Sequence, residues 1–128
     1  MGAFSDYLEN KILDLTLRQV AFSTPAPAKI ALYTSPPYDG GTGTEVSGGG
    51  YVRQTGTFAA AANGKTSNSA VISFPAATSG WGTVTHFGIF DATTGGNLLY
   101  WAPLTQSKAI STGDVARFNV GTLTVSLD

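Results

Sequence analysis

Few side chains in this chain could do acid–base or nucleophilic chemistry, and their neighbours limit each of them. The single histidine, His86, stands between Thr85 and Phe87 in a β-branched, aromatic stretch. A general base needs a nucleophile in hydrogen-bond reach and a carboxylate to orient it, and the sequence aligns neither with His86. It reads as a buried or half-buried structural residue. Asp39, Asp91 and Asp114 all border glycine-rich turns, where an Asp side chain commonly bonds the backbone two residues on. A hydrolytic carboxylate pair must sit about 5–9 Å apart across a cleft, and nothing in their spacing sets two of them so. Gly64-Lys65-Thr66 matches the end of a phosphate-binding loop, but the first glycine of that motif would fall on Ala59. Without it the backbone N–H groups cannot wrap a phosphate, so this is a surface turn. Gly40 to Glu45 resembles one turn of a calcium-binding repeat, which needs stacked neighbours that a single copy lacks. The chain has no cysteine, one histidine and eight scattered carboxylates. No catalytic, cofactor or metal site is expected, and the reading is non-enzymatic.

Aromatic residues on loops offer a different chemistry. Trp81 lies between Gly80 and Gly82, and Tyr38 and Tyr51 flank a stretch with six glycines among residues 38–50. Exposed rings on β-loops can stack on sugars, so Tyr38, Tyr51 and Trp81 are candidate glycan contacts. The competing expectation tucks Trp81 into the end of the β domain.

Composition narrows the classes further. A chain of 128 residues is one ordinary domain. Its net charge of −1 leaves no electrostatic footprint for a phosphate backbone, which excludes nucleic acid as a partner. No apolar run approaches the length of a membrane-spanning helix. The opening Met1-Gly2-Ala3-Phe4-Ser5-Asp6 lacks the basic and apolar regions of a signal peptide. The expectation is a soluble protein, made in the cytoplasm of the cell that produces it. With only 12% charged residues, part of its surface is expected to be covered by a partner.

The elements that must position these residues fall into two regimes. Phe4, Leu8, Ile12 and Leu15 recur at helical spacing, with Ser5 placed to cap the first turn and Asp6 and Glu9 to meet the dipole. One amphipathic helix over about 6–17 follows. The Thr24-Pro25-Ala26-Pro27 segment cannot continue it. The β domain, about 29–127, reads as short strands at 29–35, 51–58, 68–74, 83–91, 97–104, 114–120 and 122–127, with a long mobile glycine loop at 38–50 and a connection at 59–67. In 68–74, Ala70, Ile72 and Phe74 share one face. Leu98, Leu99, Tyr100 and Trp101 are apolar on both faces of their strand, which makes the strand central or its outer face an interface. The fold class is mainly β: a β-sandwich or jelly-roll-like barrel of about seven short strands with one N-terminal helix.

The opening MGAFSDYLENKILDLTLR, the stretches ALYTSPPYDGGTGTEVSGGGYVRQ and ISFPAATSGWGTVTHFGIFDATTGGNLLYWAPLT, and the terminal GTLTVSLD resemble small tailed-phage virion proteins usually labelled tail-fibre-like. The WGTVTHFGIFDA block is the most specific part. The resemblance implies a structural protein of the virion. A single domain with no collagen-like or coiled-coil shaft looks like a capsid decoration (cement) protein that staples major capsid subunits. The alternative is a tail-fibre or tail-tip adhesin that binds a host-surface glycan. On the first reading Phe4, Leu8, Ile12, Leu99 and Trp101 are the candidate protein interface, the major capsid protein is the partner, and a homo-oligomer is expected.

Overall fold

Ser5 begins the helix as its sequence position implies: its hydroxyl accepts from the Leu8 N–H at 3.1 Å. The same hydroxyl donates to the Leu98 carbonyl, so the cap also ties the helix to the sheet. The computed structural model describes residues 3–127, and within them α1 runs Asp6–Arg18. Before it lies a strand that periodicity missed, β1 (Ala3–Phe4), paired with Trp101 and Tyr100. Gln19 closes the helix in the left-handed region at φ 57°. Phe22 then folds back, its ring 6.3 Å from that of Tyr7.

The remaining strands are β2 (Lys29–Tyr33), β3 (Gln54–Thr55), β4 (Lys65–Ser67), β5 (Ile72–Ser73), β6 (Gly82–Phe90), β7 (Leu98–Ile110), β8 (Arg117–Phe118) and β9 (Thr124–Ser126). A five-stranded antiparallel sheet, ordered β1-β7-β6-β2-β3, faces two small sheets, β4-β9 and β5-β8, across the main core. The mainly β expectation holds, as a lopsided sandwich of nine strands among the described residues. Ile30, Leu32, Phe87, Ile89 and Ala102 of the large sheet meet Ile72, Leu123 and Val125 from the small ones. The opposite face carries a smaller cluster, Ala31, Tyr33, Phe90 and Leu98 with Trp101 against it.

Register explains why β7 is apolar on both parities. Ile89 pairs with Tyr100 but Phe90 with Leu98, so Leu99 is an extra residue in a bulge. Both Leu98 and Leu99 are buried at this bulge, Leu98 in the smaller cluster.

Several boundaries differ from the sequence reading. β7 continues to Ile110 rather than stopping near Leu104, whereas the expected strands at 51–58 and 114–120 shrink to two paired residues each. Residues 59–67 are not a plain connection. Asn63 and Gly64, at φ 54° and 75°, make a two-residue hairpin turn between the bridged Ala62 and Lys65. On 68–74 the predicted face breaks, because Ala70 is exposed while Asn68, Ile72 and Phe74 are buried. Asn68 stitches the small sheets: its amide donates to the carbonyls of Ala70 at 2.9 Å and Asn119 at 3.0 Å and accepts from the Leu123 N–H.

Candidate functional site

The glycine-rich stretch is anchored, which corrects the expectation of a free loop. Glu45 bridges to Tyr33, the Thr34 N–H donates to the Thr44 carbonyl, and Val46 is buried. Two glycines there serve close approach. A Cβ on Gly43 would run into the Pro36 carbonyl and stand 2.8 Å from the Pro37 Cα. One on Gly49 would come within 2.9 Å of the Trp81 ring.

Arg53 locks this region from inside. Its guanidinium makes two bonds to the Glu45 carboxylate, 2.8 Å each, and donates to the carbonyls of Ala92 and Gly95. It also lies 3.7 Å from the Phe90 ring centre. Tyr51 donates to Glu45 at 2.6 Å and accepts from the Leu32 N–H at 3.0 Å. Burial, then the hydrogen bond to Glu45, pushes the Tyr51 phenol far above its ordinary range. Burial, reinforced by the Glu45 charge, raises Tyr33 to about 12. Sequence reading weighed Glu45 only as the end of a calcium-repeat turn and did not single out Arg53, and here the pair holds backbone.

Two of the three candidate glycan contacts are therefore spent on the fold. Trp81 is buried, its Nε1–H donates to the Gly49 carbonyl at 2.9 Å, and its ring packs edge-on against Tyr51 and Phe74. Tyr51 is half-buried with its hydroxyl fully engaged. Neither offers a free ring face. Tyr38 does: it is 58% exposed and held at φ 55°, a left-handed backbone that a bulky residue rarely adopts.

Tyr38 sits at the rim of a small polar–aromatic patch. Its ring stands edge-on to Trp101, centres 5.9 Å apart, and Trp101 donates from Nε1 to the Asp39 carboxylate at 2.9 Å. The Asp39 carbonyl accepts from the Asp6 N–H, so one residue ties loop, helix and β7 together. Asp6, Glu9 and Asp39 bring carboxylate oxygens within 4.8 Å of one another. His86 lies behind Trp101, ring centres 5.9 Å apart, with Nδ1 2.7 Å from the Thr85 hydroxyl. Burial alone holds its imidazole below the usual histidine range. His86 is half-buried, as its sequence context implied, and no carboxylate hydrogen-bonds it among the described residues. Asp91 and Asp114 brace turns, accepting from the N–H groups of Asn97 and Ser111.

The candidate interface residues are divided. Leu8 and Leu99 are buried within the chain and have no surface to give a partner. Phe4, Ile12 and Trp101 are half-buried, Phe4 edge-on to Tyr100 at 5.5 Å. The exposed apolar side chains of the helix are others, Leu13, Leu15 and Leu17. None of these candidates lines an open groove of about 340 Å³ between the far half of β7 and residues 115–122, which Leu104, Gln106, Lys108 and Arg117 border.

Residues 3–126 match the model of one protein family, described as podophage GP4 fiber I protein gp80. No curated protein matches the chain. The match runs over nearly the whole length of this mainly β chain. The chain belongs to the podophage GP4 fiber I protein gp80 family, a family of phage virion proteins.

Proposed function

We propose that this chain is a non-enzymatic structural subunit of the phage fibre, and that its Tyr38–Asp39–Trp101 rim is the part that meets a host-surface glycan. The observation that carries the reading is the extent of the family match, residues 3–126 of a fibre protein family. The local arrangement supports it. Tyr38 presents a ring to solvent, Trp101 backs it, and carboxylates beside it can accept hydrogen bonds from sugar hydroxyls. Glu45, Arg53, Asp91 and Asp114, the charged groups that chemistry would otherwise use, are bound up in structural hydrogen bonds.

Quantitative mass spectrometry of purified virions tests the location. A fibre subunit is expected at about six to a few tens of copies per particle. Hundreds of copies, tracking the major capsid protein, would overturn the fibre reading in favour of a capsid decoration protein that staples capsid subunits. The glycan role has its own measurement. Purified chain is expected to compete with phage for cells, and Tyr38→Ala to lose that competition while melting like the parent.

A further inference from the structure

Beyond Trp101 the outer edge of β7 has no strand beside it among the described residues, because β1 pairs only with Tyr100 and Trp101. A bare edge ordinarily invites an extended segment of another chain, but this one is built against it. Pro103 has no N–H to donate. The register slips between the Val84–Lys108 and His86–Pro103 pairs, so Thr85 alone opposes Leu104, Thr105, Gln106 and Ser107 in a wide bulge. Lys108 pairs with the core residue Val84, and its charge therefore lies on the core face of the sheet. What the bulge forms instead is one wall of the open groove of about 340 Å³. Small-molecule sites occupy roughly 300–1,000 Å³ and combine an apolar lining with a few convergent polar groups. Here the apolar part is Leu32, Val84, Ile110 and Phe118, and Lys108 and Arg117 supply positive charge. No Asp or Glu lines the groove, and neither cation is in an ion pair among the described residues. Asp114, next to Val115 of the wall, is occupied by the Ser111 N–H.

We propose that this groove is a second ligand site, for a saccharide that carries an anionic group, either a uronate carboxylate or a sugar phosphate. Lys108 and Arg117 meet the anion, the guanidinium with paired N–H donors suited to carboxylate or phosphate oxygens. Thr105, Gln106 and Thr122 offer donors and acceptors to ring hydroxyls, and the C–H face of the sugar lies on Leu104 and Phe118. The groove shares no residue with the Tyr38 rim, and charge separates the two. The rim gathers the carboxylates of Asp6, Glu9 and Asp39, which repel an anion, whereas the groove attracts one. A single acidic sugar ring has few atoms to contribute, so its Kd is on the order of 1 mM.

Amide-resolved NMR titration of the full chain tests this, with glucuronate, glucose 6-phosphate and glucose each taken to about 50 mM at matched ionic strength, well above the expected Kd. Saturable shifts confined to residues 104–110 and 115–122 are expected with the two acidic sugars, and at least tenfold weaker ones with glucose. Whichever acidic sugar binds more tightly identifies the anion as carboxylate or phosphate. Lys108→Gln and Arg117→Gln, both made at exposed side chains, are expected to weaken binding several-fold each and together to abolish it, with the melting temperature unchanged. No saturable shift with either acidic sugar overturns the proposal, as does binding that the double variant leaves intact. Acetate or inorganic phosphate binding as tightly as the corresponding acidic sugar would show the sugar ring to be idle and overturn it too. A hexaglutamate peptide that binds the groove more tightly than both sugars would replace the saccharide with an acidic protein segment.

Discussion

At the residue scale, Arg53 shows how one side chain replaces a missing element. The strand on which it was expected is only Gln54–Thr55, too short to hold residues 44–53 by ladder bonds. The guanidinium takes over, joining Glu45, Ala92 and Gly95 from above the Phe90 ring. Its side chain is 7% exposed and that of Glu45 25%. Breaking a fully buried pair costs about 3–5 kcal/mol, and the water still reaching Glu45 lowers this, so Arg53→Ala is expected to destabilise by about 2–3 kcal/mol in urea unfolding. A loss below 0.5 kcal/mol, the level of an ordinary surface substitution, would show the clamp to be idle. The same cluster sets an alkaline limit. Tyr33 titrates near 12 in the folded chain against an ordinary 10.0. The unfolded chain thus loses that proton first, and the contribution to stability is whole below about pH 10 and lost as pH rises toward 12. Melting temperature followed across that window is expected to fall more steeply for the parent than for Tyr33→Phe. Parallel curves would sink the argument.

At the element scale, α1 is half a core helix and half a surface one. Tertiary packing supplies most of a short helix's stability, and here the fully buried side chain of the helix is Leu8. Leu8→Ala is expected to cost about 2–5 kcal/mol. Leu15→Ala, despite lying on the same predicted stripe, is expected to stay within about 0.5 kcal/mol, because Leu15 is exposed. Thermal or urea melts of the two variants check this, and equal losses would place Leu15 in the core. Helical spacing identified the stripe from Phe4 to Leu15, but where the sheet stops beneath the helix is a long-range fact. The glycine stretch teaches the converse lesson. Six glycines in 13 residues look like a mobile loop, yet Gly43 and Gly49 are small because neighbouring backbone or a ring passes where a Cβ would be. Glycine content alone cannot separate these two causes.

At the scale of the whole molecule, the accessible surface is 6997 Å², against roughly 6,400 Å² for an average chain of this mass. Metal enters only as a test: the one group of three acidic or ligating side chains close enough to share an ion, among the described residues, is the exposed Asp6–Glu9–Asp39 set. Thermal melts with and without EDTA are expected to coincide, and a shift of several degrees would place a structural ion there. The limits of sequence reading follow from the range of the interactions involved. Helix start, N-cap, strand-rich class and the half-burial of His86 rest on neighbours within a few residues, and all were legible. So was the phage virion family, from motifs spread along the chain. Strand lengths, the Leu99 bulge, the Asn68 stitch and the burial of Trp81 depend on groups far apart in sequence that meet only when the sheets close. Trp81 and Tyr38 make the point together. Both are aromatic residues in glycine-rich surroundings, and no local pattern tells their fates apart. One finds the Gly49 carbonyl and a pocket of rings, and the other is turned outward on a left-handed backbone. That difference arises from packing between distant segments, the one contribution a linear pattern does not carry.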